Sequence, residues 1–316
     1  MNVLLLSIGA KHALVSFFKQ NNSGFDKVVT TDCSKYSAGL YNSDAHYIVP
    51  RMSEENYLPA LLEICDKENI DAILPSQEDE LILITKNRHL FEDKNVKIIS
   101  SDAASVELCR DKLGLYEFLS SKGIPCVPTM DCCNISTDSV DLPAFLKPRF
   151  GAGSVGNIKI SSPVLLESYI NDASTPLILQ PFMKAKEFGV DVYADMINGE
   201  VTDIFVKEKI RMRAGETEKS LSVRNTDIEE IVKNIISVLP LRGPIDMDFF
   251  LYEDKYYLLE INPRFGGGYP HANLCGINFP LNISNNLKGQ INPDNIGNYQ
   301  TDTVALKYTE TMLMEK

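Results

Sequence analysis

Four polar residues toward the end of the chain have types and spacing suited to a charged binding site: Asp248, Glu260, Asn262 and Arg264. They lie on or beside two β-rich runs, Ile245 to Tyr252 and Tyr256 to Ile261, separated by Glu253, Asp254 and Lys255. Read as a three-residue hairpin loop, that trio sets Tyr252 opposite Tyr256 and, counting outwards, Asp248 opposite Glu260. Cross-strand partners share a face, and Asn262 joins them because strand side chains alternate. A two-residue loop would put the two acids on opposite faces. Facing carboxylates repel, so the pair asks for a cation. Two carboxylates and an amide oxygen form a hard, all-oxygen set that suits Mg²⁺ shared with phosphates rather than zinc. A solvated hairpin with stray acids is the plain alternative. Arg264 is able to grip an anion bidentately, and Gly266-Gly267-Gly268 lets backbone approach a ligand closely.

Other segments carry charges that need explaining. Phe145-Leu146-Lys147-Pro148 reads as a strand with one embedded lysine, which is costly without a partner. Gly151-Ala152-Gly153-Ser154-Val155-Gly156 follows, then another strand, Asn157 to Ile160. A glycine-rich loop between two strands makes a flap whose N–H groups can wrap phosphate oxygens. It is neither a Walker nor a dinucleotide loop, since GK[ST] is absent and no helix follows. Leu177-Ile178-Leu179 runs into Gln180-Pro181-Phe182-Met183, where the proline frees a strand edge for a ligand. Lys207, Lys209, Arg211 and Arg213 alternate along one strand and line one face, either to meet an anion or to guard an edge strand. Residues 214–222 read as a polar loop over the site.

The elements around these residues are legible. Asn2 to Ile8, Val28-Val29, His46 to Val49, Ala72 to Leu74 and Val96 to Ile99 are short strands alternating with helices at Leu58 to Lys67 and Glu80 to Phe91. That alternation means a parallel sheet covered by helices. Asp32 follows Gly9 at a dinucleotide-like distance, but Ser7 to Lys11 holds one glycine where three are wanted. One helix is expected from Asp102 or Ser105 through Asp111-Lys112-Leu113 to Gly123, and another over Asp227 to Leu239.

At 316 residues, 44% hydrophobic and 23% charged, the chain has the size and balance of two or three globular subdomains. No apolar run nears the roughly 20 residues of a membrane span, and MNVLLLSIGA reads as a first strand rather than a leader. Seven cysteines without a CxxC pair point to a reducing cytoplasm. A formal charge of −12 argues against broad nucleic-acid binding, so cations that meet an anionic ligand must be local. A homodimer is left open.

The run LLEINPRFGGG, residues 258–268, resembles the metal-binding strand of the ATP-grasp superfamily, most closely that of the carbamoyl phosphate synthetase large chain and similar single-copy ligases. The resemblance implies an α/β chain: an N-terminal open parallel-sheet (pre-ATP-grasp) domain, 1–100, then a two-lobed α+β ATP-grasp fold. Its small lobe, 101–183, would carry the glycine flap, and its C-terminal lobe, 184–316, the metal site. It implies ATP and Mg²⁺, or Mn²⁺ in its place, with Asp248, Glu260 and Asn262 on the metal. CRDKLGLYEFLSSKGIPCVPT is similar to the segment whose lysine, here Lys112, reaches the phosphates. By the same resemblance Lys147 sits against the α- and β-phosphates, and Gly151, Gly153, Ser154 and Gly156 belong to the phosphate flap. Gln180, Pro181, Phe182 and Met183 form the adenine hinge, although Gln180 departs from the acid frequent there, and Glu187 holds the ribose. Lys207 and Arg211 would neutralise the γ-phosphate or acyl phosphate, Arg264 would hold substrate, and Pro75 to Glu80 would border the acceptor pocket. Taken alone, Pro75 to Glu80 is a helix start with dipole-favoured acids. The implied activity joins a small-molecule carboxylate to an amino acid-like amine through an acyl phosphate. Bicarbonate activation as in carbamoyl phosphate synthetase, an ATP-grasp kinase and a non-catalytic ATP-binding protein stay open.

Overall fold

The computed structural model of the protein describes residues 1–136, 140–151, 153, 155–213 and 215–313. Ser154, expected in the flap, lies outside them. The first sheet is parallel, with strands β1 (Asn2–Leu5), β2 (Lys27–Asp32), β3 (Ala45–Ile48), β4 (Ala72–Leu74) and β5 (Lys97–Ile98) in the order β3-β2-β1-β4-β5. The apolar run of β1 is buried on both faces. Leu4 and Leu6 pack with Leu61 and Ile84 from the helices Tyr57–Glu68 and Glu78–Lys86. Val3 and Leu5 pack on the other side with Phe17 and Phe18 of the helix His12–Phe18, and with Tyr269 and Phe279 from the C-terminal part.

A four-stranded antiparallel sheet follows, built from β6 (Met130–Asp131), β7 (Ala144–Pro148), β8 (Ile158–Ile160) and β9 (Leu177–Pro181) in the order β6-β9-β7-β8. Ala144, Leu146, Ile160 and Leu179 face a small core with Leu166. Alternation puts Phe145, Lys147 and Gln180 on the opposite face. The single helix expected over residues 102–123 is two, Ala103–Arg110 and Lys112–Ser121. Asp111 breaks it: its backbone is extended, and its carboxylate accepts from the N–H groups of Leu113 and Gly114 at 3.2 and 3.1 Å. A side chain that caps a new helix competes with continuing the old one.

The third sheet places the acids. Its strands are β10 (Lys186–Ala194), β11 (Val201–Arg213), β12 (Glu216–Val223), β13 (Gly243–Tyr252), β14 (Lys255–Asn262) and β15 (Val304–Leu306), in the order β14-β13-β10-β11-β12-β15. Val190, Val192, Ile204, Val206, Met247 and Phe249 bury one face against Ile228, Val232 and Ile235 of the helix Thr226–Val238. The other face carries Glu187, Gly189, Asp191, Lys207, Lys209, Asp246 and Asp248.

Two expectations are corrected here. The β13–β14 turn has two residues, because Tyr252 pairs with Lys255. Glu253 and Asp254 both adopt positive φ, 48° and 60°, as a type I′ turn demands. The ladder then slips by one residue: Phe249 pairs with Leu258 but Asp248 with Glu260, leaving Leu259 as a bulge. The bulge restores the pairing that the shorter turn removes, so Asp248 does face Glu260. Residues 216–222 of the expected polar loop belong to strand β12, which pairs with both β11 and β15. Ser220 and Ser222 are buried there, and β11 is an interior strand, so its cations guard no edge. Among the described residues, no helix is long and apolar enough to cross a membrane.

Candidate active site

Asp248 and Glu260 face each other across β13 and β14, and the next pair on that face is Asp246 with Asn262. Asn262 Nδ2 lies 3.4 Å from Asp246 Oδ2. Burial raises the Glu260 pKa, and the charge of Asp248 raises it further, against the pull of Lys112, Lys147 and Lys209. Asp246 is raised by burial and then by Asp248. A carboxylate group held this way favours an added cation. Asp246 was not singled out in the sequence, although it sits two residues before Asp248 and so shares its face.

Across the cleft stand two lysines. Lys112 is the first residue of its helix and donates to the Gly151 carbonyl in the flap. Lys147 stands on β7, and its ammonium has no hydrogen-bond or ion-pair partner among the described residues. Burial lowers the pKa of both, partly offset by Glu260. Both line a cleft together with Pro148, Gly151, Gly153 and Glu260, so the flap and the acid hairpin meet there. Arg149 at the flap root binds Asp111, with Nε 2.6 Å from Oδ1, and its carbonyl accepts the Lys112 N–H at 3.3 Å. The flap in turn meets the β11–β12 connection: a Cβ on Gly215 would come within 2.6 Å of the Gly153 carbonyl oxygen. Gly156 ends the flap at φ 78°.

Gln180 is buried. Its Nε2 donates to Thr129 Oγ1 at 2.9 Å, while its Oε1 has no partner. Pro181 closes β9, the Phe182 N–H bonds Pro143, and Lys159 lies 3.7 Å above the Phe182 ring. Met183 continues the segment, half-buried. Glu187 is the second residue of β10 and accepts from Lys209 at 2.7 Å. An orphaned buried acceptor, two lysines without a carboxylate partner and a glycine loop fit an adenine amino group and a run of phosphates. Among the described residues no group of three or more His, Cys, Asp and Glu side chains could hold a metal by itself. Two carboxylates and an amide therefore fit an ion that takes its remaining ligands from phosphates or water.

Lys207 and Arg211 are not brought to this cleft. Lys207 is 1% exposed, ion-paired with buried Asp191, and packed so that a Cβ on Gly268 would lie 2.5 Å from its Cε. Arg211 is mostly exposed and pairs with Glu218 at 2.9 Å. The cation that does stand at the acids is Lys209, 2.7 Å from both Glu187 and Asp248. Burial works against its charge, and Asp248 and Glu187 more than reverse that. Arg264 leaves the end of β14, bonds Glu78 at 2.8 Å and lies 3.7 Å from Asp246. The Gly266–Gly268 turn admits Asp246, since a Cβ on Gly266 would meet its Oδ1 at 2.4 Å. His271 is buried with Nδ1 2.8 Å from Ser220 Oγ, a core position.

Two family models match the chain. A PylC-like N-terminal domain covers residues 3–99, and an ATP-grasp domain covers residues 109–268. The chain belongs to the ATP-grasp family. Ligases of the ATP-grasp family use ATP and Mg²⁺ and join a carboxylate to an amine through an acyl phosphate, forming ADP. The arginine-specific carbamoyl phosphate synthase large chain of Halalkalibacterium halodurans is 22% identical over 262 residues, 75% of this chain but 24% of that one. The chain thus spans about a quarter of the length of the curated relatives it matches. Biotin carboxylase from Campylobacter jejuni, solved as a β-γ-ATP complex, superposes with a TM-score of 0.75 at 17% identity, over 96% of this chain and 74% of that one. L-amino acid ligase from Bacillus licheniformis gives 0.71 at 18%, over 92% and 75%. At these identities the likeness concerns the ATP-grasp fold.

Proposed function

We propose that this chain is an ATP- and Mg²⁺-dependent ligase that joins a small-molecule carboxylate to an amino acid-like amine and releases ADP and phosphate. One observation carries the reading: Glu260 faces Asp248 across the hairpin and lines the same cleft as Lys112 and Lys147 beneath the flap. Gln180 Oε1 would accept from the adenine amino group, with Pro181, Phe182 and Met183 alongside, and Glu187 would bind the ribose hydroxyls. Lys112, Lys147 and the loop of Gly151, Gly153 and Gly156 would hold the phosphates. Asp248, Glu260 and Asn262 would hold Mg²⁺ or Mn²⁺, whose contribution is to neutralise phosphate charge. Lys209, rather than Lys207 or Arg211, would neutralise the γ-phosphate or acyl phosphate.

In the chemistry that follows, a carboxylate oxygen attacks the γ-phosphorus as ADP leaves, and the amine then attacks the acyl carbon as phosphate leaves. Positioning and charge neutralisation suffice, and no side chain need act as a covalent nucleophile. Arg264 would hold the reacting carboxylate. The division into 1–100, 101–183 and 184–316, with action in the cytoplasm, belongs to the same proposal.

The test is phosphate release from ATP against amino acids and small carboxylates, singly and in pairs, with bicarbonate and ammonia included. One carboxylate–amine pair should stimulate release, and Glu260→Gln should slow it by roughly 10²–10³-fold while the fold persists. ADP formation at the wild-type rate in that variant would remove the assignment. A stable phosphorylated acceptor in place of free phosphate would make the chain a kinase.

A further inference from the structure

The strand order of the N-terminal sheet reverses at β1, whose neighbours are β2 on one side and β4 on the other. Open parallel sheets hold ligands in the crevice beyond the carboxyl ends of two such strands. Here Ser7 to Lys11 follow β1, and Ser76 to Glu80 follow β4. Ser7 has φ 42°, a conformation a serine seldom holds outside functional loops. Ser76 Oγ lies 2.7 Å from the Leu6 carbonyl and 2.9 Å from that of Ser7, tying the two strand ends together.

Lys11 points into this crevice with Nζ 3.3 Å from Ser76 Oγ, its one hydrogen-bond partner among the described residues. The neighbouring acids are engaged elsewhere. Glu80 accepts from Ser7 Oγ at 2.6 Å, from the Ser76 N–H at 3.2 Å and from Tyr57. Asp32 accepts from the N–H groups of Gly9 and Ser34 at 2.8 and 2.9 Å, and Glu216 pairs with Lys307. Glu78 is taken by Arg264. Among the described residues Lys207 and Lys209 each have a carboxylate partner, whereas half-buried Lys11, like Lys112 and Lys147, has none. Burial lowers the pKa of Lys11 and the nearby Arg264 charge lowers it further, against the pull of Glu80, Glu216 and Asp32, so the ammonium is left incompletely compensated. A desolvated ammonium beside a second cation is completed by an anion.

We propose that Lys11 anchors a carboxylate of the amine substrate in the crevice beyond β1 and β4, with Ser76 beside it. The assignment to the amine substrate rests on the ligase reading, whereas the anion site does not. The amine substrate is then an amino acid or another amine bearing a carboxylate, and Lys11 selects it over neutral amines.

Two measurements separate these claims. In the full chain with MgADP, acetic anhydride labelling of Lys11, read by peptide mapping, should slow several-fold with malonate and not with the neutral malonamide. Exposed Lys67 should label equally throughout. Labelling of Lys11 that ignores malonate, or that malonamide slows equally, overturns the site; stronger protection by inorganic phosphate overturns the carboxylate assignment. In the phosphate-release assay, Lys11→Met should raise KM for the amino acid roughly tenfold or more. KM for ATP should stay constant, the corresponding amino acid amide should be a poor substrate for both proteins, and Lys11→Arg should restore binding. An unchanged amino acid KM in Lys11→Met also overturns the proposal. If no substrate pair releases phosphate, the ligase reading fails while the labelling result still decides the anion site.

Discussion

Lys112 and Lys147 hold their protons less tightly than solvated lysines because burial outweighs the pull of Glu260. Their pKa values therefore lie below 10.5 in the free protein. Bound phosphates favour the ammonium form, so nucleotide binding takes up protons at the pH where the free lysines lose them. ATP affinity should be full at neutral pH and decline as pH rises through the lowered pKa values, earlier than for an ordinary lysine. A nucleotide titration across alkaline pH checks this, and a flat profile would take both lysines out of the site. Lys147→Ala should lose a charge-assisted contact of roughly 1.5–3 kcal/mol, or about 10–100-fold in Kd, and part of the alkaline decline with it. Lys112, Lys147 and Glu260 each sit in a short distinctive run, so the sequence singles them out one by one, and the fold brings them to one cleft. Lys209 was not ranked above its neighbours, because its role depends on a strand register. Gly189 stands opposite Lys207, and a Cβ there would lie 3.1 Å from the Cε atoms of both Lys207 and Lys209. Alternation gave the shared face of the four cations, but only packing decides which one reaches the acids.

The acid hairpin shows how an element can be read with the right pairing and the wrong turn. A three-residue loop without a bulge and a two-residue turn with one both set Asp248 against Glu260, because the same eleven residues, 249–259, lie between them. The pattern cannot separate the two cases, since a bulge depends on strand twist and on what packs above the sheet. β12 is hidden in the sequence for a related reason: its serines and threonine read as loop, and Ser220 and Ser222 are buried only because β11 and β15 flank the strand. The observed turn makes its own prediction. Glu253 and Asp254 both hold left-handed φ, a conformation that Asn-Gly adopts at lower cost. The double variant Glu253→Asn, Asp254→Gly should raise stability by roughly 1 kcal/mol. The turn is exposed and distant in register from the acid pair, so phosphate release should not change. Denaturant midpoints with a constant m-value would measure the gain; a lower midpoint would contradict the type I′ assignment.

Across the whole molecule, the parallel domain and the acid hairpin are joined by a short chain of charges. Glu78, at the start of the helix after β4, accepts from Arg264 at 2.8 Å and lies 3.4 Å from Arg110. Arg264 in turn approaches Asp246. One carboxylate thus meets two guanidinium groups from parts of the chain separated by 186 residues in the Arg264 case. The acids of Pro75 to Glu80 were legible as a helix start, but their partners were not, since long-range pairing leaves no local pattern. All three side chains are largely buried, so removing the carboxylate leaves two cations poorly compensated. Glu78→Ala should lower stability by roughly 1–3 kcal/mol. Nucleotide affinity should hold, because Lys112 keeps its bond to Gly151, Glu260 still faces both lysines, and Gln180 keeps its bond to Thr129. Turnover should fall, because Arg264 is then free to close on Asp246 and no longer presents its outer edge to substrate. Glu78→Gln, which keeps a hydrogen-bond acceptor without the charge, should fall between the wild type and Glu78→Ala in both measures. A loss of ATP affinity equal to the loss of turnover would show that the charge chain supports the nucleotide cleft itself. Unchanged stability and turnover would mean that the two domains are held together without this charge chain, by the apolar contacts of Phe17, Phe18, Tyr269 and Phe279 and by hydrogen bonds such as that of Asn278 to Asn22.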